Sequence, residues 1–235
     1  RFGALGGDLA DPAVVLGELG RTLTPCPMLG SAVLAAQAIL AFFVLANYDK
    51  GGSQFQFQEW HSIAPAWGLS YYLAADGLSL IMLLLTGLVT LAGIWVTQGV
   101  ERREGLFYAC LLLISAGAAG AFAAQDLFFF YAFHELALIP TFLLIGIWGS
   151  GERHSVAWKI TIYLALGSII LLVGLIDLYL ALPVEVRTFD MVRLQELAAA
   201  GNLIPAEAQV RPYLFLLIGF GILISLFPFH SWAPP

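Results

Sequence analysis

The sequence predicts an all-α integral membrane protein, a polytopic helix bundle with about six transmembrane helices in view. Three observations carry this. Of 235 residues, 60% are hydrophobic and only 11% are charged, against roughly 45–50% and about 25% in a soluble domain. Mean hydropathy is +0.87. Apolar stretches of about 20 residues, the length that crosses roughly 30 Å of hydrocarbon, recur along the chain. So few charges cannot clothe a water-soluble globule. A formal net charge of -6 supplies no basic footprint for nucleic acid. Composition therefore excludes an ordinary cytosolic enzyme, a nucleic-acid binder and a disordered chain. The medium this surface suits is a lipid bilayer.

In chain order, residues 1–28 hold Asp8, Asp11, Glu18, Arg21 and three prolines, and predict no span. They show no basic n-region, apolar core and cleavage site, so no signal peptide is read there. The transmembrane domain is expected over 29–235. Spans are expected at about 29–47, 77–98, 105–124, 126–148 and 156–182, with a sixth at about 213–230 punctuated by Ser225 and Pro228. Gln125-Asp126 barely separates two apolar runs, so the helices it joins are antiparallel neighbours. The run Ser115 to Ala121 gives one helix almost no side-chain bulk and places it inside the bundle, where backbones approach closely. Gln54-Phe55-Gln56-Phe57-Gln58 alternates strictly and predicts a short strand. Met191, Leu194 and Leu197 recur at three-residue spacing, and Gly201 stops the pattern. This predicts an amphipathic interfacial helix over about 188–200. Cys26 and Cys110 are isolated, without CxxC or metal-ligand spacing, and are expected to be small apolar fillers.

Orientation follows from Lys and Arg in short loops. Arg102 and Arg103 share one turn, Arg153 and Lys159 another, and alternation puts both turns on one side, the expected cytoplasmic side.

Charges inside a span cost about 2.5–3.5 kcal/mol each on the translocon scale and are functional candidates by default. Asp76 and Asp126 stand at helix starts, where a carboxylate caps the backbone and suits the dipole. Asp177 lies near a span end, within reach of water. Glu135 has no such explanation. It follows Asp126 by nine residues, which puts it roughly 13–14 Å into the membrane. There a carboxylate is neutral, paired or beside water, and each state suits a proton carrier. Tyr131, four residues earlier, shares its face. Pro140 frees the carbonyl of Leu136 one turn away. His134 lies about 100° round the helix and is expected to face elsewhere, as packing or as a relay. Lys159 opens the next span, roughly 15 Å shallower than Glu135, as a topology-setting or relay lysine. Pro228 predicts a kink or break near Ile224. His230, just beyond it, is a further candidate relay, since imidazole exchanges protons near neutral pH.

Three runs in order carry a resemblance: Ala75-Asp76-Gly77-Leu78-Ser79-Leu80; Asp126-Leu127-Phe128-Phe129-Phe130-Tyr131-Ala132-Phe133-His134-Glu135-Leu136; and Phe227-Pro228-Phe229-His230-Ser231-Trp232. They resemble the antiporter-like membrane subunits of respiratory complex I, NADH:quinone oxidoreductase, most nearly the chain M branch that includes mitochondrial subunit 4. Mrp-type antiporters and membrane-bound hydrogenases share much of the pattern. The resemblance implies an inverted-repeat fold of about fourteen helices, of which this chain is an N-terminal fragment holding helices two to seven. It implies a multi-pass place in an energy-coupling membrane, a bacterial inner membrane or an organellar equivalent, among other membrane-arm subunits of a respiratory complex. It further implies proton translocation through Glu135, and no cofactor in this chain. NADH, FMN, iron–sulfur clusters and quinone are expected in partner subunits. The family pairs the glutamate with a lysine on its broken seventh helix. Counting back from His230, that position is Leu223 here, and Ser225 stands where many members have proline or a small residue. Lys159 matches the family's lysine near the start of helix six. Two other readings stay open: a structural membrane-arm subunit whose first half-channel does not pump, and an Mrp-type antiporter or membrane-bound hydrogenase subunit.

Overall fold

The computed structural model describes residues 39–49, 51–97, 100, 103–201 and 204–232. Residues 39–46 are helical and belong to the first expected span. The rest of that span, the 1–28 segment, Cys26 and Arg102 lie outside the described residues. A hairpin follows, β1 (Gln56–Ala64) and β2 (Leu69–Ala75). Six helices come next: α1 (Gly77–Val96), α2 (Glu104–Ala123), α3 (Leu127–Trp148), α4 (Arg153–Ala181), α5 (Met191–Ala199) and α6 (Ala206–Leu223). All but α5 are long and apolar enough to cross a membrane. Their outer faces carry exposed Leu85, Val89, Trp95, Ile139, Ile162 and Ile169, a surface that costs nothing against lipid.

The caps are where the residue types put them. Asp76 and Ser79 form a reciprocal capping box at α1. Asp126 accepts from the Phe128 and Phe129 N–H groups at α3, and Asp190 from Val192 and Arg193 at α5. Gly201, at φ 95°, lies just past α5. Helix α3 runs through Pro140 unbroken.

Helix α2 packs between α1 and α3. A Cβ on Gly120 would stand 2.3 Å from the Phe133 ring, so only glycine admits this approach. Helices α4 and α6 pack in the same way, with Gly219 against the Leu171 backbone. Cys110 is free and buried in α2.

Three expectations need correction. The alternating run 54–58 overlaps the strand only at 56–58, and the strand continues to Ala64. Phe57 has φ 54°, and the ladder slips between Gln56 and Glu59. The run is a bulge at the start of a longer strand that pairs with the unforeseen β2. The sixth helix starts earlier than expected, at Ala206 after Pro205, and tolerates Pro212. It ends at Leu223, with Ser225 left-handed at φ 58°. The expected break is therefore present. The third correction concerns Asp177, which is only 11% exposed and does not reach out to water. Arg211 of α6 grips it with two guanidinium bonds, one of them 2.8 Å from Nε to Oδ2.

The 124–126 turn extends the sheet. Gln125 N donates to Tyr72 O at 2.8 Å, and Met191 N to Gln125 O at 2.8 Å. Leu127 N donates to Phe189 O at 2.9 Å. The start of α3 is thus stitched between the hairpin and the start of α5.

Candidate proton-transfer site

The site is built on α3. Its N-terminal anchor, Asp126, is fully buried. Oδ1 caps the helix while Oδ2 accepts from the Ser70 N–H at 3.2 Å. Burial pushes this carboxyl up from the ordinary value of 3.8, the N–H groups of Ser70, Phe129 and Phe128 pull it down, and the charge of Asp190 pushes it up. From this fixed point the helix rise sets the depth of Glu135 at roughly 13–14 Å.

Glu135 is half-buried, its side chain 30% exposed. Tyr131 lies on the same face, close enough to feel its charge, and beside Ser168 of α4. His134 does not face elsewhere. Its Nδ1 stands 3.4 Å from Glu135 Oε1, because both side chains bend into the angle between their directions on the helix. This is a long contact for a hydrogen bond, but an ion pair when the imidazole is protonated.

Lys159 is exposed on α4 and forms no ion pair among the described residues. It adjoins Trp158, whose ring packs on Phe142 at 5.2 Å. Gly146 of α3 faces the Ala157 side chain, which sets Lys159 about nine residues along α3 from Glu135, roughly 13–14 Å in axial distance and close to the expected separation. His230 is exposed in a short 3₁₀ turn, Phe229–Trp232, with its ring stacked on Phe227 at 5.6 Å. It meets no titratable partner among the described residues.

Leu223 closes α6 and packs toward Gly167 of α4, next in sequence to Ser168. Beyond it the broken helix is closed by its own tail. The Trp232 Nε1–H donates to Ile222 O at 2.9 Å, and Ser231 Oγ donates to Tyr163 Oη at 3.0 Å. Sequence reasoning missed this closure, the Arg211–Asp177 pair and the Ser70 bond to Asp126. Each joins residues far apart in the chain. The one available signal was a carboxylate, Asp177, near the end of one expected span and an arginine, Arg211, just ahead of the next.

Fold and site together define a multi-pass integral membrane protein with a half-buried carboxylate inside its third long apolar helix, α3. Residues 124–235 match the family model described as NADH:quinone oxidoreductase/Mrp antiporter, TM. Over these residues the chain carries the transmembrane domain of this family of antiporter-like membrane subunits. It is similar to NAD(P)H-quinone oxidoreductase chain 4-2 of a Synechocystis species, with 36% identity over 201 residues, 86% of this chain and 35% of that protein. A chain of respiratory complex I from Thermus thermophilus with bound NADH superposes with a TM-score of 0.77 at 28% identity, covering 95% of this chain and 45% of that one. A chain of the Mrp complex from a Dietzia species superposes with a TM-score of 0.69 at 25% identity, covering 94% and 39%. The chain spans about a third of the length of the curated relatives it matches.

Proposed function

We propose that this chain is part of a proton-translocating membrane subunit of an NAD(P)H:quinone oxidoreductase, and that Glu135 is its mid-membrane proton carrier. The supporting observation is a half-buried carboxylate roughly 13–14 Å along a capped, apolar helix, with Tyr131 and His134 beside it. An ionisable group is stable there only if it meets polar groups, and it then has a route for its proton. In this reading, other subunits of the assembly hold NADH, flavin, iron–sulfur clusters and quinone. Lys159 and His230 are candidate relays toward the two faces. Arg103, Arg153 and Lys159 face the cytoplasm, and α5 lies along the opposite interface.

Leu223 favours a second reading, in which this half-channel is a scaffold. An apolar side chain against Gly167 offers no positive charge to draw a proton from Glu135. Glu135→Gln in the full-length subunit, assembled in its native complex, separates the two. The amide keeps size and hydrogen bonding but cannot titrate. A fall in protons pumped per electron supports the carrier. An unchanged ratio makes this half-channel a scaffold.

A further inference from the structure

The surroundings of Glu135 are strongly one-sided. At its level α2 presents Gly117 and Gly120, packed on Phe133 and Ala137, with no titratable group. Helix α4 presents Ser168, beside Tyr131, and Tyr163, whose hydroxyl is engaged by Ser231. Lys159 lies roughly 13–14 Å further along the axis. Helix α6 contributes Phe220, whose ring meets Phe130 at 6.1 Å, and Leu223. Among the described residues, the one side chain within ion-pair distance of Glu135 that becomes cationic on protonation is its neighbour His134, and both side chains are 30% exposed.

We infer that His134 is the proton-sharing partner of Glu135, and that the two work as one unit holding a single exchangeable proton. The inference rests on the carrier reading above. With that proton on Nδ1 the unit is an imidazolium–carboxylate pair. When the N–H bond breaks and an O–H bond forms at Oε1, it is a neutral imidazole beside a carboxylic acid. Both one-proton states have zero net charge, so the carboxylate is neutralised at mid-membrane, where an isolated ion is most costly, in all but the proton-depleted step of a transport cycle. A fixed ammonium would neutralise the carboxylate without offering it a proton near neutral pH, whereas an imidazole is able to.

The test uses the full-length subunit in its native complex in sealed membrane vesicles. Protons pumped per electron are measured for the wild type, His134→Gln, Glu135→Gln and the double variant across neutral pH. Glutamine keeps a hydrogen-bond donor but cannot titrate. The expected result is a lowered ratio in both single variants, with the double variant no lower than Glu135→Gln alone. The wild type's pH dependence should flatten in His134→Gln. If Glu135→Gln lowers the ratio while His134→Gln matches the wild type in ratio and pH profile, the sharing is refuted and the carrier stands. Additive losses in the double variant refute the sharing as well. If Glu135→Gln leaves the ratio unchanged, the carrier reading itself fails. His134→Asn takes the place of glutamine if that variant does not assemble.

Discussion

Asp126→Ala is expected to loosen the whole outer end of the bundle. The carboxylate makes two cap bonds, 2.9 Å to Phe128 N and 3.3 Å to Phe129 N. Loss of such a cap costs about 1 kcal/mol, with a range of roughly 0.5–2. It also receives the N–H of buried Ser70 at 3.2 Å, and a buried donor left unsatisfied costs about 1–3 kcal/mol. Relief of a desolvated charge offsets part of this, so the net loss is about 1–3 kcal/mol. The assay is SDS-titrated unfolding of the full-length subunit in mixed micelles, followed by tryptophan fluorescence. Asp126→Asn separates the two contributions. Its oxygen still caps α3, but its amide turns a donor toward the Ser70 N–H, so about half the loss remains. The pH dependence has a definite sign. Folding raises this carboxyl, so the folded state holds the proton more tightly than the unfolded one. The stability it contributes is present below the ordinary carboxylate value and is lost as pH rises through the raised folded value. Acidification through that window should therefore stabilise the wild type relative to Asp126→Asn. If Asp126→Ala unfolds within about 0.5 kcal/mol of the wild type, the margin of an ordinary surface substitution, the anchor argument is wrong.

Arg211→Met should destabilise the α4–α6 contact by leaving Asp177, 11% exposed, without its partner. Asp177→Asn with Arg211→Met should recover part of the loss, and a double-mutant cycle showing no coupling would reject the pair. A cysteine at Arg153, with Cys26 and Cys110 replaced, should react with an impermeant thiol reagent from the cytoplasmic face alone. Rapid labelling from outside intact cells would invert the topology.

What the sequence determined by itself is what depends on one residue at a time or on its near neighbours. Hydropathy is additive along a stretch, so the spans that became α1 to α4 were located within a few residues. Caps are local, so Asp76 and Asp126 were found at their helices. A proline's missing N–H acts within one turn, so the break ahead of Pro228 was visible. The tertiary structure decided what depends on two distant segments meeting. The Asp177–Arg211 pair spans 34 residues and the Ser70–Asp126 bond 56. The hairpin register and the sheet extension through Gln125 need partners that no local pattern names. The partner of Glu135 was misread for a different reason. Helical angle fixes where a Cβ points, but it does not fix where a flexible side chain ends. Rotamers brought His134 and Glu135 together across the 100° between them.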